Sequence, residues 1–221
     1  VTVAIDGPSG TGKSSTSRAV AAKLGLSYLD TGAQYRAITW WMLSNGVDVR
    51  DPIAVADAVG KPVIVSGTDP GHPAISVDGL DASGPIRSQE VTAAVSAVSA
   101  VPAVRSRMVA YQRRTAEAAS AGIVVEGRDI GTTVLPAATV KIFLTASAEA
   151  RAARRSGELN GVQSLAATRA ALITRDAADS GRKTSPLAKA DDAIEVDTTE
   201  LSLQQVIDRV VALVEEKRAT R

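Results

Sequence analysis

The chain has no cysteine. That excludes disulfides and thiolate metal sites, and it fits a reducing compartment. Aromatic residues make up only 3 % of it, too few to stack a run of single-stranded bases. The one histidine, His72, lies in the turn-like run Asp69-Pro70-Gly71-His72-Pro73, where a solvated side chain is expected rather than a ligand or a base. No run approaches the ~18 apolar residues that a membrane span needs. Basic and acidic residues nearly cancel, at 25 against 24, so no general pull toward nucleic acid or an anionic membrane is expected. The first residues read as a strand rather than as a charged and then apolar leader. A cytoplasmic protein is the expectation.

At 221 residues with 45 % hydrophobic content, the chain suffices for one domain, with lobes, around a large core. Its most informative stretch is Gly7-Pro8-Ser9-Gly10-Thr11-Gly12-Lys13-Ser14-Ser15, which follows the apolar run Val1–Ile5. Gly7, Gly12, Lys13 and Ser14 fit G-x-x-x-x-G-K-[ST]. The chemistry asks for these types. A phosphate chain must be met by converging backbone N–H groups, and glycines leave room for that approach. A helix expected from about Lys13 to Leu24 points its positive N-terminal end at the same place, and Gly25 suits its end. Lys13 can then reach the β and γ phosphates, and the Ser14 hydroxyl can sit on Mg²⁺.

Strands expected at Val1–Ile5, Ile123–Val125, Val140–Leu144 and Ile194–Val196 alternate with helical stretches. One of these carries the apolar stripe Leu203, Val206, Ile207, Val210, Val211, Val214. The pattern predicts an α/β fold, a mostly parallel central sheet with helices on both faces, and a ligand site at the carboxyl ends of the strands. Residues 62–87 break the rhythm, with Pro62, Pro70, Pro73, Pro85 and several glycines around extended pieces at Val63–Ser66 and Ala74–Val77. They predict a small antiparallel appendage. Trp40-Trp41 is expected on the helix after Gly32, with at least one of the two in the core.

Residues 151–183 hold seven basic side chains (Arg151, Arg154, Arg155, Arg169, Arg175, Arg182, Lys183) against Glu158, Asp176 and Asp179, a local net of +4. Beside a polyphosphate site, arginines that close over it have a use. Arg175 and Arg182 are the favoured pair, while Arg151, Arg154 and Arg155 are as readily a solvated helix face. A phosphate-binding loop alone names no reaction. A small-molecule kinase and a nucleotide switch or motor both remain. The switch lacks an N-K-x-D base reader, and the D-x-x-G runs at Asp57–Gly60 and Asp81–Gly84 follow no convincing buried strand. Where a motor would favour two acids ending a strand, Ile123–Val125 runs into Glu126-Gly127-Arg128-Asp129.

Taken in order, these segments resemble the bacterial cytidylate kinases of the nucleoside monophosphate kinase family. The likeness runs through AIDGPSGTGKSS, YLDTGAQYR (Tyr28–Arg36), SGPIRSQEV (Ser83–Val91), SAVSAVPAVR (Ser96–Arg105), EGRDIGTTVLPAATVKIFLTAS (Glu126–Ser147), RDAADSGR (Arg175–Arg182) and KADDAIEVDTT (Lys189–Thr199). The resemblance implies phosphoryl transfer from ATP to CMP or dCMP with Mg²⁺. It implies that Gly7 to Ser15 hold the ATP phosphates, with Ser14 on the metal. Arg36, Arg128 and Arg182 would grip the acceptor phosphate, since guanidinium pairs with phosphate through two parallel donors. Ser96, Arg105 and Asp129 would read the cytosine edge, Thr31 would lie near the acceptor phosphate, and Arg175 and Asp179 would sit on the lid side. Lys13, Arg128, Asp129, Arg175 and Arg182 form the expected catalytic set. The implied layout is one kinase domain over 1–221: a core of 1–30, 119–147 and 187–221, a monophosphate-binding lobe of 31–118 with an insertion at about 62–87, and a mobile lid at 148–186. A monomer without nucleic-acid or membrane partners is expected. Two departures stand out: Glu126 replaces an Asp found in relatives, and Ala178 and Ser180 stand where some relatives carry lid arginines.

Overall fold

A computed structural model describes residues 1–158 and 163–220; positions 159–162 of the expected lid, and residue 221, lie outside it. In chain order the elements are β1 (Thr2–Asp6), α1 (Lys13–Leu24), β2 (Ser27–Asp30), α2 (Thr31–Ser44), α3 (Pro52–Ala58), β3 (Ile64–Ser66), β4 (Ile75–Val77), β5 (Leu80–Asp81), α4 (Gln89–Ser99), α5 (Pro102–Ala118), β6 (Ile123–Gly127), β7 (Val140–Thr145), α6 (Ala148–Glu158), α7 (Leu165–Ser180), β8 (Ile194–Asp197) and α8 (Leu203–Ala219). A short π turn, Ile130–Val134, follows β6.

Five strands form a parallel sheet in the order β2-β6-β1-β7-β8. β1 is central, and side chains alternate across it. Val3 and Ile5 pack with Val20, Ala21, Val206, Ile207, Val210 and Val214, so α1 and α8 cover one face. Ala4 packs on the other face with Leu29, Val125, Ile130 and Val134. Each fully buried Val or Ile side chain contributes roughly 1.5–3 kcal/mol. The α/β reading therefore holds, with helices on both faces. All four expected strands form: the first is shifted by one residue, to Thr2–Asp6, and the other three run one or two residues further. The stripe of α8 is also present, except that Leu203, the helix's first residue, is 49 % exposed. α1 runs from Lys13 to Leu24 as expected and ends at Gly25, whose φ of 64° is the left-handed conformation that glycine adopts freely.

β2 went unread because four residues, SYLD, carry no β-branched signal. It is an edge strand, and the appendage covers it: the Tyr28 N–H donates to the Thr68 carbonyl at 2.9 Å. The appendage is the expected antiparallel sheet, β3-β4-β5, with β5 as an additional third strand. Ile64, Ile75 and Val77 bury into a separate apolar cluster with Ile38 and Met42 of α2 and Val104 and Met108 of α5. The expectation that a tryptophan is core is met only in part. Trp40 and Trp41 are both half-buried against this cluster, and the Trp41 indole N–H donates to Asp78 Oδ2 at 2.8 Å. His72 is a turn residue with its side chain 92 % exposed.

Candidate active site

β1 delivers the chain to Gly7 in close contact with β7. A Cβ on Gly7 would lie 2.2 Å from the Leu144 carbonyl oxygen, which no side chain tolerates. The loop then turns through Gly10 and Gly12, at φ 82° and 81°, into α1. The Lys13 ammonium arches over it and donates to the Pro8 carbonyl at 2.6 Å, while the buried Thr11 hydroxyl donates to the same oxygen at 3.0 Å. Burial, then the Arg128 charge, push Lys13 down to about 7. Ser14 and Ser15 stay exposed on the first turn of α1.

Beside this loop, β6 ends at a cavity of about 380 Å³. Thr31, Ser96, Arg105, Arg128, Asp129, Arg175, Asp179 and Arg182 all line it, so eight of the nine expected acceptor residues converge. Arg36 is the exception. It does not line the cavity; its guanidinium donates to Ile86 O (3.1 Å) and Thr92 Oγ1 (2.9 Å). Burial, then Arg155, Arg87 and Arg128 nearby, push it down to about 10, and the Ile86 and Thr92 oxygens are its acceptors.

Arg105, 2 % exposed, pairs with Asp129 Oδ2 at 2.5 Å and donates to the Ser99 carbonyl at 3.2 Å. Its guanidinium lies 5.0 Å from the Tyr35 ring centroid, a cation–π distance. Arg128 donates to Ser9 Oγ at 2.6 Å, which ties the cavity to the phosphate loop. It is also in ion contact with Asp179, without an aligned hydrogen bond between the paired atoms. Arg182 reaches Asp179 Oδ1 and Ser99 Oγ at 3.5 Å and donates to Ser185 O at 2.9 Å. The Thr31 hydroxyl is engaged, donating to the Glu126 carbonyl at 2.7 Å. Ser96 is half-buried on α4. Arg175 has no hydrogen-bond or ion-pair partner among the described residues; burial, then Arg128 and Arg36, push it down to about 9. Four arginines face two aspartates in one cavity, so it carries an excess of positive charge suited to a phosphate dianion.

The basic run divides. Arg151 donates to Ser9 O at 3.2 Å and pairs with Asp176, whose other oxygen accepts the Ser9 N–H at 3.4 Å. Arg154 braces Thr198, while Arg155 and Arg169 pair with Glu158 and Glu149. Arg154 is thus structural, and Arg151 touches the phosphate loop itself.

Sequence reasoning missed Tyr35, Ser99, Asp6 and the Tyr28–Glu126 pair. Glu126 is fully enclosed at the end of β6. Its Oε1 accepts from Tyr28 O–H at 2.7 Å, and its Oε2 has no hydrogen-bond partner among the described residues. Burial, then Asp30, push it up to about 7, against the Tyr28 hydrogen bond and the nearby Lys13 and Ser14. Its distinct signal was positional: an acid at a strand end, next to the Gly-Arg-Asp run. A second cleft, about 610 Å³, lies between α1, β2 and the appendage and is lined by Ser14, Arg18, Asp30 and Arg87.

The sequence matches the family described as cytidylate kinase over residues 3–216. A cytidylate kinase of Streptomyces griseus is 78 % identical over 218 residues, which span 99 % of this chain and 94 % of that one. One from Rhodococcus opacus is 56 % identical over 220 residues, 97 % of this chain and 95 % of its own. Among solved structures, an uncharacterized protein from Eubacterium ventriosum superposes with a TM-score of 0.52 at 10 % identity, covering 98 % of both chains, a likeness of fold alone.

Proposed function

The chain belongs to the cytidylate kinase family, and from that premise we propose how its site works. The enzyme transfers the γ-phosphoryl group of ATP to CMP or dCMP, giving ADP and CDP or dCDP. The nucleophile is an oxygen of the acceptor phosphate, ionised near neutral pH, so no general base is needed. What remains is positioning and neutralisation of charge in a loose phosphoryl transition state. Backbone N–H groups from Gly7 to Ser15 receive the ATP phosphates, and Lys13 follows the charge that moves to the β-phosphate. Arg128 and Arg175 hold the acceptor phosphate, with Arg182 from the lid. Arg36, turned toward Ile86 and Thr92, joins them only if the lobe closes.

Ser96, Arg105 and Asp129 read the base. Asp129 accepts from the cytosine amino group, and Arg105 donates toward its ring acceptors. Uracil presents an acceptor where cytosine donates, which leaves Asp129 facing an oxygen. The Tyr35 ring and the Ser99 carbonyl help hold the Arg105 guanidinium in place.

Mg²⁺ fits this site through the Ser14 hydroxyl and Glu126 Oε2, which is buried and without a hydrogen-bond partner among the described residues. No group of three or more His, Cys, Asp or Glu fit to hold a metal occurs among the described residues, and Mg²⁺ is ordinarily held by one or two protein oxygens with phosphates and water. Held there, it would offset the negative charge of the phosphates. Residues 31–118 and 148–186 act as the lobe and lid, and the contact of Arg151 and Asp176 with Ser9 is the lid's hold on the phosphate loop. A cytoplasmic monomer suits these roles.

Arg175 carries the reading: a half-buried guanidinium without a partner among the described residues, beside like charges, is costly unless an anion joins it. Arg175→Ala should leave Tm unchanged or higher and cut kcat/KM for CMP by about 10²-fold. A normal kcat/KM would remove Arg175 from the site. A fall in Tm would make it structural.

A further inference from the structure

We propose that Asp6 is a positioning residue for the acceptor: its carboxylate caps the turn after β6 and so leaves the Asp129 carboxylate to Arg105 and the base. The inference deepens the assignment of Arg128 and Asp129 above and rests on it. Asp6 ends β1, 5 % exposed, with Gly127 of β6 and Phe143 of β7 beside it in the sheet. Its Oδ1 accepts the Ile130 N–H at 2.9 Å and its Oδ2 accepts the Gly131 N–H at 2.8 Å.

The first N–H groups of any helical turn lack partners within it. An Asp in the capping position ordinarily supplies one from its own side chain. Asp129 occupies that position before the π turn, yet its side chain makes no capping bond. Its carboxylate goes instead to Arg105, 2.5 Å away. Asp129 contributes only its backbone carbonyl, which accepts from Thr133 and Val134 at 2.8 and 3.1 Å. Asp6 satisfies these two buried amides, which the turn itself leaves unpaired, from a neighbouring strand. The next residue in the chain is Gly7, so one anchor sets the phosphate loop and the acceptor loop relative to each other.

Asp6→Asn presents one acceptor oxygen and one N–H₂ group to two N–H donors, so one bond is replaced by a donor–donor clash. The Asp129 side chain then competes to cap its own turn. Kinetics and amide spectra of the whole chain test this. For Asp6→Asn, kcat/KM for CMP should fall by about 10–10²-fold, with ATP affinity unchanged. In an Asp129→Asn background the same change should cost less than about 3-fold, because both act through one carboxylate. Burial pushes the Asp6 carboxyl up to about 6, with Asp129 adding to this and the two amides and Lys13 opposing it. The Lys141 stem lies across Gly131, its ammonium paired away with Asp192. The Ile130 and Gly131 amide resonances of the unaltered protein should therefore shift together near pH 6, a readout that needs no variant to fold. Unchanged CMP kinetics in Asp6→Asn, full additivity with Asp129→Asn, or amides that do not titrate together would each overturn the proposal. If Asp129→Asn alone leaves CMP use normal, the base-reading assignment fails instead, while the amide shifts still test the cap.

Discussion

Arg105 and Asp129 offer a perturbation whose structural and functional costs separate. Both are almost fully buried, 2 % and 3 % exposed, and they meet at 2.5 Å. Removing one partner strands the other charge in a low dielectric, at a cost of about 3–5 kcal/mol. For a chain of this size each kcal/mol lowers Tm by roughly 2–4 °C, so Arg105→Ala should drop it by about 6–20 °C. Replacing both with apolar residues of similar volume, Arg105→Met with Asp129→Leu, removes the stranded charge and should restore most of that loss. Base recognition should not return. Each charged hydrogen bond lost to the base is worth about 1.5–3 kcal/mol, so kcat/KM for CMP should stay down by about 10–10²-fold or more in single and double variants. ATP binding, measured by calorimetry, should be near normal in the double variant. The reasoning is refuted if the double variant uses CMP normally, or if Arg105→Ala is as stable as the parent.

Lys13→Ala should cut turnover by about 10³-fold or more under the role proposed for this ammonium; single-turnover rates would check it, and near-normal turnover would sink the phosphate-loop assignment. Arg182→Ala should slow phosphoryl transfer while ATP affinity, read by fluorescent-nucleotide titration, stays nearly constant; unaltered single-turnover kinetics would remove it from the site. Gly7→Ala places a Cβ about 2.2 Å from the Leu144 oxygen, so the loop must shift: both Tm and ATP affinity should fall, and a variant with wild-type affinity would contradict the close approach.

Much of this was legible in the chain because local rules and the fold agree. The run from Val1 to Gly25 holds strand, glycine turn, helix and stop in an order that only one arrangement satisfies, and it folds that way. That the expected acceptor residues, Arg36 apart, would line one cavity was legible through motif order alone. Residues as distant in sequence as Thr31 and Arg182 converge on it, and no periodicity predicts that. What stayed hidden depends on partners far along the chain. β2 is too short for its one strand-favouring residue, Tyr28, to mark it, and β6 and Thr68 pair with it. Asp6 reads as the last residue before a loop, and its role appears only when Ile130 and Gly131 arrive beside it. Arg36 lies in the expected segment, but its orientation is set by Ile86 and Thr92, fifty-odd residues on. Arg154 shows the converse: charge density suggested function, and Thr198 makes it a brace.

The account turns on a positive cavity that takes a cytidine monophosphate beside a loop that takes ATP. The most direct test is ADP production from Mg-ATP alone and with CMP, dCMP, UMP, AMP or shikimate added singly. CMP and dCMP should raise the rate by orders of magnitude over ATP alone, with UMP well behind. If no acceptor raises it, or if AMP or shikimate surpasses CMP, the roles given to Ser96, Arg105 and Asp129 are wrong.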